Sequence, residues 1–377
     1  MKVPLTRPDV GELEEKLVVE VIRSGWLTQG PRVTEFEQAL ARTLDVPFAV
    51  AFSNCTTALH VALLLHGVGP GDEVIVPSYT FIATANAVRM VGATPVFADI
   101  EPETFDVSAK TIEPLLSENT KLIMPVHQFG MPADIDPISA LGKEYGLPVV
   151  EDAACAMGSR YKGRPVGSSG NVACFSFHPR KVVTTGEGGL LVTTNERFMK
   201  KARELVNHGA SISDIAKHQA NTVEALLGED YETVGYNYRL SNLQGALGLA
   251  QLTRLESGLS ARRARARRYQ LALSSCRHVS IPHVPEYATP NWQSYAVRVL
   301  ASSPRSRNEV AQRLLDAGIA CRPAYMACHD KTVYRREGLR LPHTDQALRE
   351  VLILPLFPQM TDAEQDYVVA QLVAAVA

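Results

Sequence analysis

No two of the six cysteines (Cys55, Cys155, Cys174, Cys276, Cys321 and Cys328) form a CxxC pair in this chain of 377 residues. That spacing argues against a structural zinc site and a disulfide scaffold, and leaves reduced, mostly buried thiols as the expected state. Also absent is any apolar run of about eighteen residues, and the opening Met1-Lys-Val-Pro-Leu-Thr-Arg-Pro lacks a signal-peptide core. The expectation is a cytoplasmic protein with no membrane partner. An excess of one charge is missing too. The formal net charge of −2 exerts no general pull on nucleic acid, so no partner of that class is expected. No internal repeat, low-complexity segment or helix-turn-helix extension stands out. What is present, 46% hydrophobic and 21% charged residues, suits a globular chain long enough for one large and one smaller domain.

Apolar runs and helix-period patterns alternate through the first two-thirds of the chain. Strands are predicted at Glu73–Val76, Thr94–Ala98, Lys121–Val126, Pro148–Glu151, Ala173–Phe177 and Leu190–Thr193, and helices at Thr56–His66, Phe81–Val91 and Pro137–Tyr145. The runs are nearly continuous, as strands covered on both faces require. An α/β fold with a mostly parallel sheet between helices is therefore predicted. From about Leu243 the texture changes. One long helical stretch to about Leu273 leads into α+β signals, with a strand near Trp292–Leu300 and helices at Ser306–Ala317 and Thr361–Val376. The expected division is a large domain over 1–242 and a smaller C-terminal α+β domain over 243–377.

The segment from Phe175 to Gly189, Phe-Ser-Phe-His-Pro-Arg-Lys-Val-Val-Thr-Thr-Gly-Glu-Gly-Gly, confines Lys181 to a polar, glycine-rich turn between two apolar runs. Desolvation favours the neutral, nucleophilic form of an amine, and such an amine can form a Schiff base with an aldehyde. Alone, the lysine reads more simply as a surface residue of a hairpin. Upstream, Leu147-Pro-Val-Val-Glu-Asp152 reads as a buried strand that delivers a carboxylate at its C-terminal end, the edge where open α/β sheets bind ligands. An acid there can keep the ring nitrogen of pyridoxal phosphate (PLP) protonated, or can simply cap a helix after the strand. Beside Lys181, the cofactor reading is preferred. A third piece is the helix start at Ser53-Asn-Cys55-Thr56, with Ser53 or Asn54 as cap and Leu59, Leu63 and Leu64 on the apolar face. Free N–H groups at such a start favour phosphate, and the Thr56 hydroxyl adds a donor.

In this order, the three pieces resemble the PLP-dependent sugar aminotransferases of the DegT/StrS type, with the fold type I aminotransferase architecture. The similarity also covers Ser24-Gly-Trp-Leu-Thr-Gln-Gly30, Val76 to Thr84, Pro125 to Asp134, Gly235-Tyr-Asn-Tyr-Arg-Leu-Ser-Asn242 and Leu352 to Pro358. The resemblance implies that Lys181 carries PLP and moves the proton, that Asp152 pairs with the pyridine nitrogen, and that Phe81 stacks on the ring. It implies a phosphate site from Cys55, Thr56, Ser176 and Asn237, the last contributed across the interface of a homodimer with shared active sites. Two positions depart from the family pattern: Cys55 replaces the usual glycine, and Cys155 replaces the glutamine or histidine that faces the cofactor's phenolic oxygen.

The resemblance further implies glutamate as amino donor, a nucleotide-linked keto sugar as acceptor, and pyridoxamine phosphate (PMP) between the two half-reactions. The turn around Lys181 looks more like members acting on 4-keto-6-deoxyhexoses than on 3-keto sugars. Candidate substrate contacts are Trp26, Thr28, His178, Arg322, Tyr325 and His329. No metal is expected, although His329 stands beside Cys328 and Asp330. The cluster Arg262, Arg263, Arg265, Arg267 and Arg268 reads as a solvated helix face, with Leu255, Leu259 and Tyr269 buried. His208–Asp230 reads as an active-site loop or a surface excursion. Competing functions are a 3-keto-sugar or keto-cyclitol aminotransferase, a dehydratase, which Lys181 opposes, and a non-catalytic regulatory protein on this scaffold.

Overall fold

The computed structural model describes residues 1–212, 230–335 and 338–377. A four-stranded sheet runs in the order Phe48–Phe52, Gly189–Thr193, Val172–Ser176, Val150–Asp152. A three-stranded sheet runs Thr120–Ile123, Glu73–Pro77, Thr94–Ala98, with Glu73–Pro77 in the middle. Parallel bridges Ile123–Val149 and Val126–Asp152 join the two into one layer. All pairings in this layer are parallel except those of Gly189–Thr193, which runs against both neighbours. The predicted strands therefore form the predicted kind of sheet. The strand Phe48–Phe52 was not foreseen: Phe-Ala-Val-Ala-Phe is short, only Ser53 and Asn54 separate it from the helix at Cys55, and it reads as the approach to that helix.

Alternating side chains of the central strands feed two cores. Cys174 and Leu191 face a core shared with Ala58, Leu59 and Leu63 of the helix Cys55–Leu65, and with Ala85 and Val88 of the helix Ala83–Met90. Ala173, Phe175, Leu190 and Val192 face the opposite core with Val33, Phe36 and Leu40 of the helix Pro31–Leu44. Because both faces are covered, Ala173–Phe175 and Leu190–Val192 are continuous apolar runs.

The C-terminal region builds an antiparallel sheet in the order Val279–Ser280, Tyr295–Val299, Val351–Leu354, Arg322–Pro323. Helices Arg307–Asp316 and Asp362–Val376 complete its core through Val310, Leu314, Val368 and Leu372. The long helical stretch is two helices, Asn242–Thr253 and Leu255–Leu273, interrupted at Arg254 with φ −110° and ψ 4°. Leu255 and Leu259 belong to the sheet-side core, and Ala266, Tyr269 and Leu273 to the C-terminal one. The expected division at 242/243 falls ahead of this crossover. Between the two groups sits Arg262, which is only 3% exposed and donates to the carbonyls of Trp292 and Leu356. The reading of the arginine cluster as wholly solvated is thus corrected. Arg262 lies three residues from Leu259 and seven from Tyr269, on the buried stripe of the helix.

Candidate active site

The strands ending at Phe52, Asp152 and Ser176 run in one direction, so their C-terminal ends meet at one edge of the sheet. There Asp152 is buried, and its carboxylate accepts from Thr84 Oγ1 at 2.7 Å and from the Ala154 N–H at 3.1 Å. Burial pushes the Asp152 carboxyl above its ordinary value. These two hydrogen bonds pull it back, as do the neighbouring Lys181 and His127. His127 also ties the strand down, since its N–H donates to the Asp152 carbonyl at 3.1 Å. His127 Nδ1 accepts from the Ala133 N–H at 3.0 Å, which leaves Nε2 to donate to the buried Glu151 at 2.8 Å. Burial alone would raise the Glu151 carboxyl, but bonds from His127, Ser169 and Asn171 hold it below its usual value.

Lys181 sits in the turn between Val172–Ser176 and Gly189–Thr193, and its Nζ donates to Cys155 Sγ at 2.9 Å. On the other side of that sulfur lies the Tyr325 hydroxyl at 3.2 Å. The Tyr325 ring stacks on Phe129 with centroids 4.8 Å apart, and burial together with Cys155 raises its phenol well above the ordinary value. Cys155 therefore accepts the lysine amine directly and links it to a phenol carried by the C-terminal region.

Gly189 lies between Phe52 and Ser176 in the ladder. A Cβ there would stand 2.4 Å from the Asn54 carbonyl carbon and 2.6 Å from the Cys55 nitrogen, so only glycine admits this approach of strand to helix start. Asn54 is the cap: its Oδ1 accepts from the Thr57 N–H at 2.9 Å. The N–H groups of Cys55 and Thr56 occupy the first helical positions, where no intrahelical acceptor exists. With the Ser176 hydroxyl at the end of its strand, they form a cradle suited to phosphate. The Cys55 thiol is buried and pushed well upward by burial and by Asp152, which favours its protonated form.

Phe81 is exposed at 59%, directly before the helix that carries Thr84. Asn237 is exposed and bridges Asn207 through the backbone. His178 lies in the lysine turn, where its carbonyl accepts from the Lys181 N–H at 2.8 Å. Arg322 is half-buried on its short strand. Trp26 and Thr28 are held by Asn242, which bonds the carbonyls of both residues. His329 does not join the cluster as a free side chain: it is buried, with Nδ1 2.6 Å from Ser78 Oγ. Its Nε2 faces Asp330 at 3.6 Å and Asp345 at 3.9 Å. Of the segment His208–Asp230, residues 213–229 lie outside the described residues. Thr84, His127 and Glu151 were missed as site residues. Their roles come from packing across the sheet, and only the stretches around them carry a signal in the sequence.

The family model described as the DegT/DnrJ/EryC1/StrS aminotransferase family matches residues 8–373. Among solved structures, the aminotransferase TlmJ from Streptoalloteichus hindustanus is 34% identical with a TM-score of 0.91, over 99% of this chain and 98% of its own. DesV from S. venezuelae, solved in complex with a ketimine intermediate, is 30% identical with a TM-score of 0.87, over 99% and 98% of the two chains. Spr1654 from Streptococcus pneumoniae, named as a sugar aminotransferase, is 31% identical with a TM-score of 0.92 in its PMP form, over 100% and 99%. The same protein is known in a PLP form. The amine of Lys181, the buried acid, the glycine-lined helix start and the exposed Phe81 ring fit such a cofactor.

Proposed function

Because this chain belongs to the DegT/DnrJ/EryC1/StrS aminotransferase family, we propose that it aminates a 4-keto-6-deoxyhexose carried on a nucleoside diphosphate, with glutamate as donor. As a family member it is a PLP-dependent sugar aminotransferase. The observation that carries the chemistry is the contact of Lys181 Nζ with Cys155 Sγ at the sheet edge where Asp152 ends. The preference for a 4-keto over a 3-keto sugar rests on the form of the turn from His178 to Gly189.

The cofactor, when bound, supplies a carbonyl that can receive nitrogen, an amine that can pass it on, and a ring that withdraws electrons. The protein's own residues do the rest. Lys181 Nζ carries a proton to and from the reacting carbon, and Cys155 keeps the amine from wandering while it is free. Asp152, whose carboxyl Thr84 and the Ala154 N–H draw back toward its ordinary value, would hold a proton on the ring nitrogen. Cys55, Thr56 and Ser176 would hold the phosphate, and the exposed Phe81 would stack on the ring. Trp26, Thr28, His178 and Tyr325 line the substrate side. His329 has its place beside Ser78 as a support for that region.

We further propose a homodimer in which Asn237 of the partner subunit completes each phosphate site. Exposed Leu13, Val19 and Ile22 on the helix Glu12–Ser24 support an apolar interface. A cytoplasmic setting accords with six free cysteines. Among the described residues no helix is long and apolar enough to cross a membrane. A panel of nucleotide-linked 4-keto-6-deoxy and 3-keto-6-deoxy sugars tests the reading. With PLP and glutamate present, nitrogen is expected at C4 of the product. Amination at C3 alone, or of a keto-cyclitol alone, would replace the 4-keto assignment.

A further inference from the structure

The Cys155 sulfur meets the Lys181 amine at 2.9 Å and the Tyr325 hydroxyl at 3.2 Å, and these are its hydrogen-bond partners among the described residues. Reacting atoms held at about 3–3.5 Å already stand where a bond between them can form. Sulfur and nitrogen are each fixed from a different part of the chain. Asn291, wholly buried, donates through Nδ2 to the Cys155 carbonyl at 2.7 Å and to the Met157 carbonyl at 2.8 Å. The Lys181 N–H donates to the His178 carbonyl at 2.8 Å, and Gln293 fastens the same turn through the Arg180 carbonyl. Tyr325, stacked on Phe129, closes the far side of the sulfur.

The other thiols are placed differently. Cys328 Sγ faces the Thr80 carbonyl at 3.7 Å and Cys321 Sγ the Ala311 carbonyl at 3.5 Å, and a carbonyl oxygen cannot trap an oxidised sulfur. Burial raises the Cys55, Cys174, Cys321 and Cys328 thiols, which favours their less reactive protonated form. Cys155 is 9% exposed and borders the half-buried Lys181, at the open side of the sheet edge. A small oxidant reaching this edge meets a sulfur with a nucleophilic nitrogen already against it.

We propose that Cys155 and Lys181 form a modification site at which hydrogen peroxide, as oxidant, joins Sγ to Nζ through a reversible S–N bond. The thiol first takes one peroxide oxygen: the O–O bond breaks, sulfur is oxidised by two electrons to the sulfenic acid, and a water leaves. The neutral amine then attacks that sulfur. The S–N bond forms, the S–O bond breaks, and the departing hydroxide takes a proton from nitrogen to leave as a second water. Two thiols of a reductant undo the bond, returning the cysteine thiol and the lysine amine and ending as a disulfide. The bond needs a free amine, and here the inference rests on the aminotransferase reading. PLP joined to Lys181 blocks the bond, whereas the PMP form leaves the amine open to it, so the lock acts between the two half-reactions.

The test exposes the full chain to hydrogen peroxide in three states: free of cofactor, loaded with PLP, and loaded with PLP and then given glutamate. The dose is one that oxidises the half-buried Cys276. Each sample is digested without reductant and read by mass spectrometry. The expected product is the Cys155 and Lys181 peptides joined, two hydrogens lighter than their sum, in the first and third states. Its yield should fall about tenfold or more in the second state, where the amine is engaged. Dithiothreitol should release both peptides and restore turnover, and Cys155→Ser should give no joined peptide. Cys155 left unoxidised in the cofactor-free protein, or recovered as sulfinic or sulfonic acid with Lys181 unattached, overturns the proposal. The wild-type digest decides this even if Cys155→Ser does not fold. Equal joining in all three states would uphold the S–N bond and count against PLP on Lys181, so the two readings fail separately.

Discussion

Thr84 Oγ1 donates to Asp152 Oδ2 at 2.7 Å, across 68 positions of sequence. That hydroxyl lowers a carboxyl which burial raises. Thr84→Val should leave a buried carboxylate oxygen without its donor, at a cost of about 1–3 kcal/mol. A carboxyl whose folded value lies above its unfolded value takes up a proton more readily when folded, so its contribution to stability falls as pH rises through that window. The valine variant widens the window. Its deficit in melting temperature should therefore be greatest above the raised value of the carboxyl and shrink as acidification protonates it in the folded state. A deficit independent of pH would show that the hydroxyl does not act on the carboxyl's ionisation.

Lys181→Ala should fold and still bind PLP through the phosphate cradle and Asp152, while turnover falls by roughly a thousandfold or more. The visible absorption of the purified variant, compared with steady-state rates, checks both halves. Normal turnover in this variant would remove the lysine from the reaction.

Cys155→Ala takes a hydrogen-bond partner from Lys181 and from the Tyr325 hydroxyl together. Stability should drop by about 1 kcal/mol, and Cys155→Ser should recover most of it, because a hydroxyl can accept both bonds. Paired thermal melts of the two variants decide this. Equal losses would mean that the sulfur matters for its bulk alone.

Gly189→Ala forces a methyl group against the Asn54 carbonyl and the Cys55 nitrogen. The strand or the helix start has to shift, at about 1–3 kcal/mol. PLP affinity should fall several-fold more than in a control alanine at the open position Gly69. Fluorescence titration of the apo proteins with PLP measures it. Unaltered affinity would place phosphate binding elsewhere.

Much of this architecture is legible in the sequence because buried parallel strands leave continuous apolar runs, and Val-Ala-Cys-Phe-Ser before the lysine turn is one of them. Lys181 and Asp152 stand at the ends of such runs, so reading the runs also locates the two groups. Asn54 as the helix cap is set by local chemistry alone. What escapes notice depends on contacts between distant segments. Thr84 is a small polar residue within a helical pattern until the fold sets it under Asp152. Arg262 carries the same letter as its solvated neighbours, and only its phase on the helix relative to Leu259 and Tyr269 marks it as interior. His329 offers a ligand-like ring to the eye, and Ser78, 251 positions away, has already engaged it.

In mechanical terms, the helix Leu255–Leu273 is a tie rod set at either end in a different block of packed side chains. The Arg262 guanidinium fastens its middle to the Trp292 and Leu356 carbonyls. Swinging the C-terminal block about this rod would strip a buried cation of its acceptors, and with it the arm that carries Arg322 and Tyr325 toward Lys181. The cleft is thereby kept at a set width, and a substrate meets walls that already stand in place.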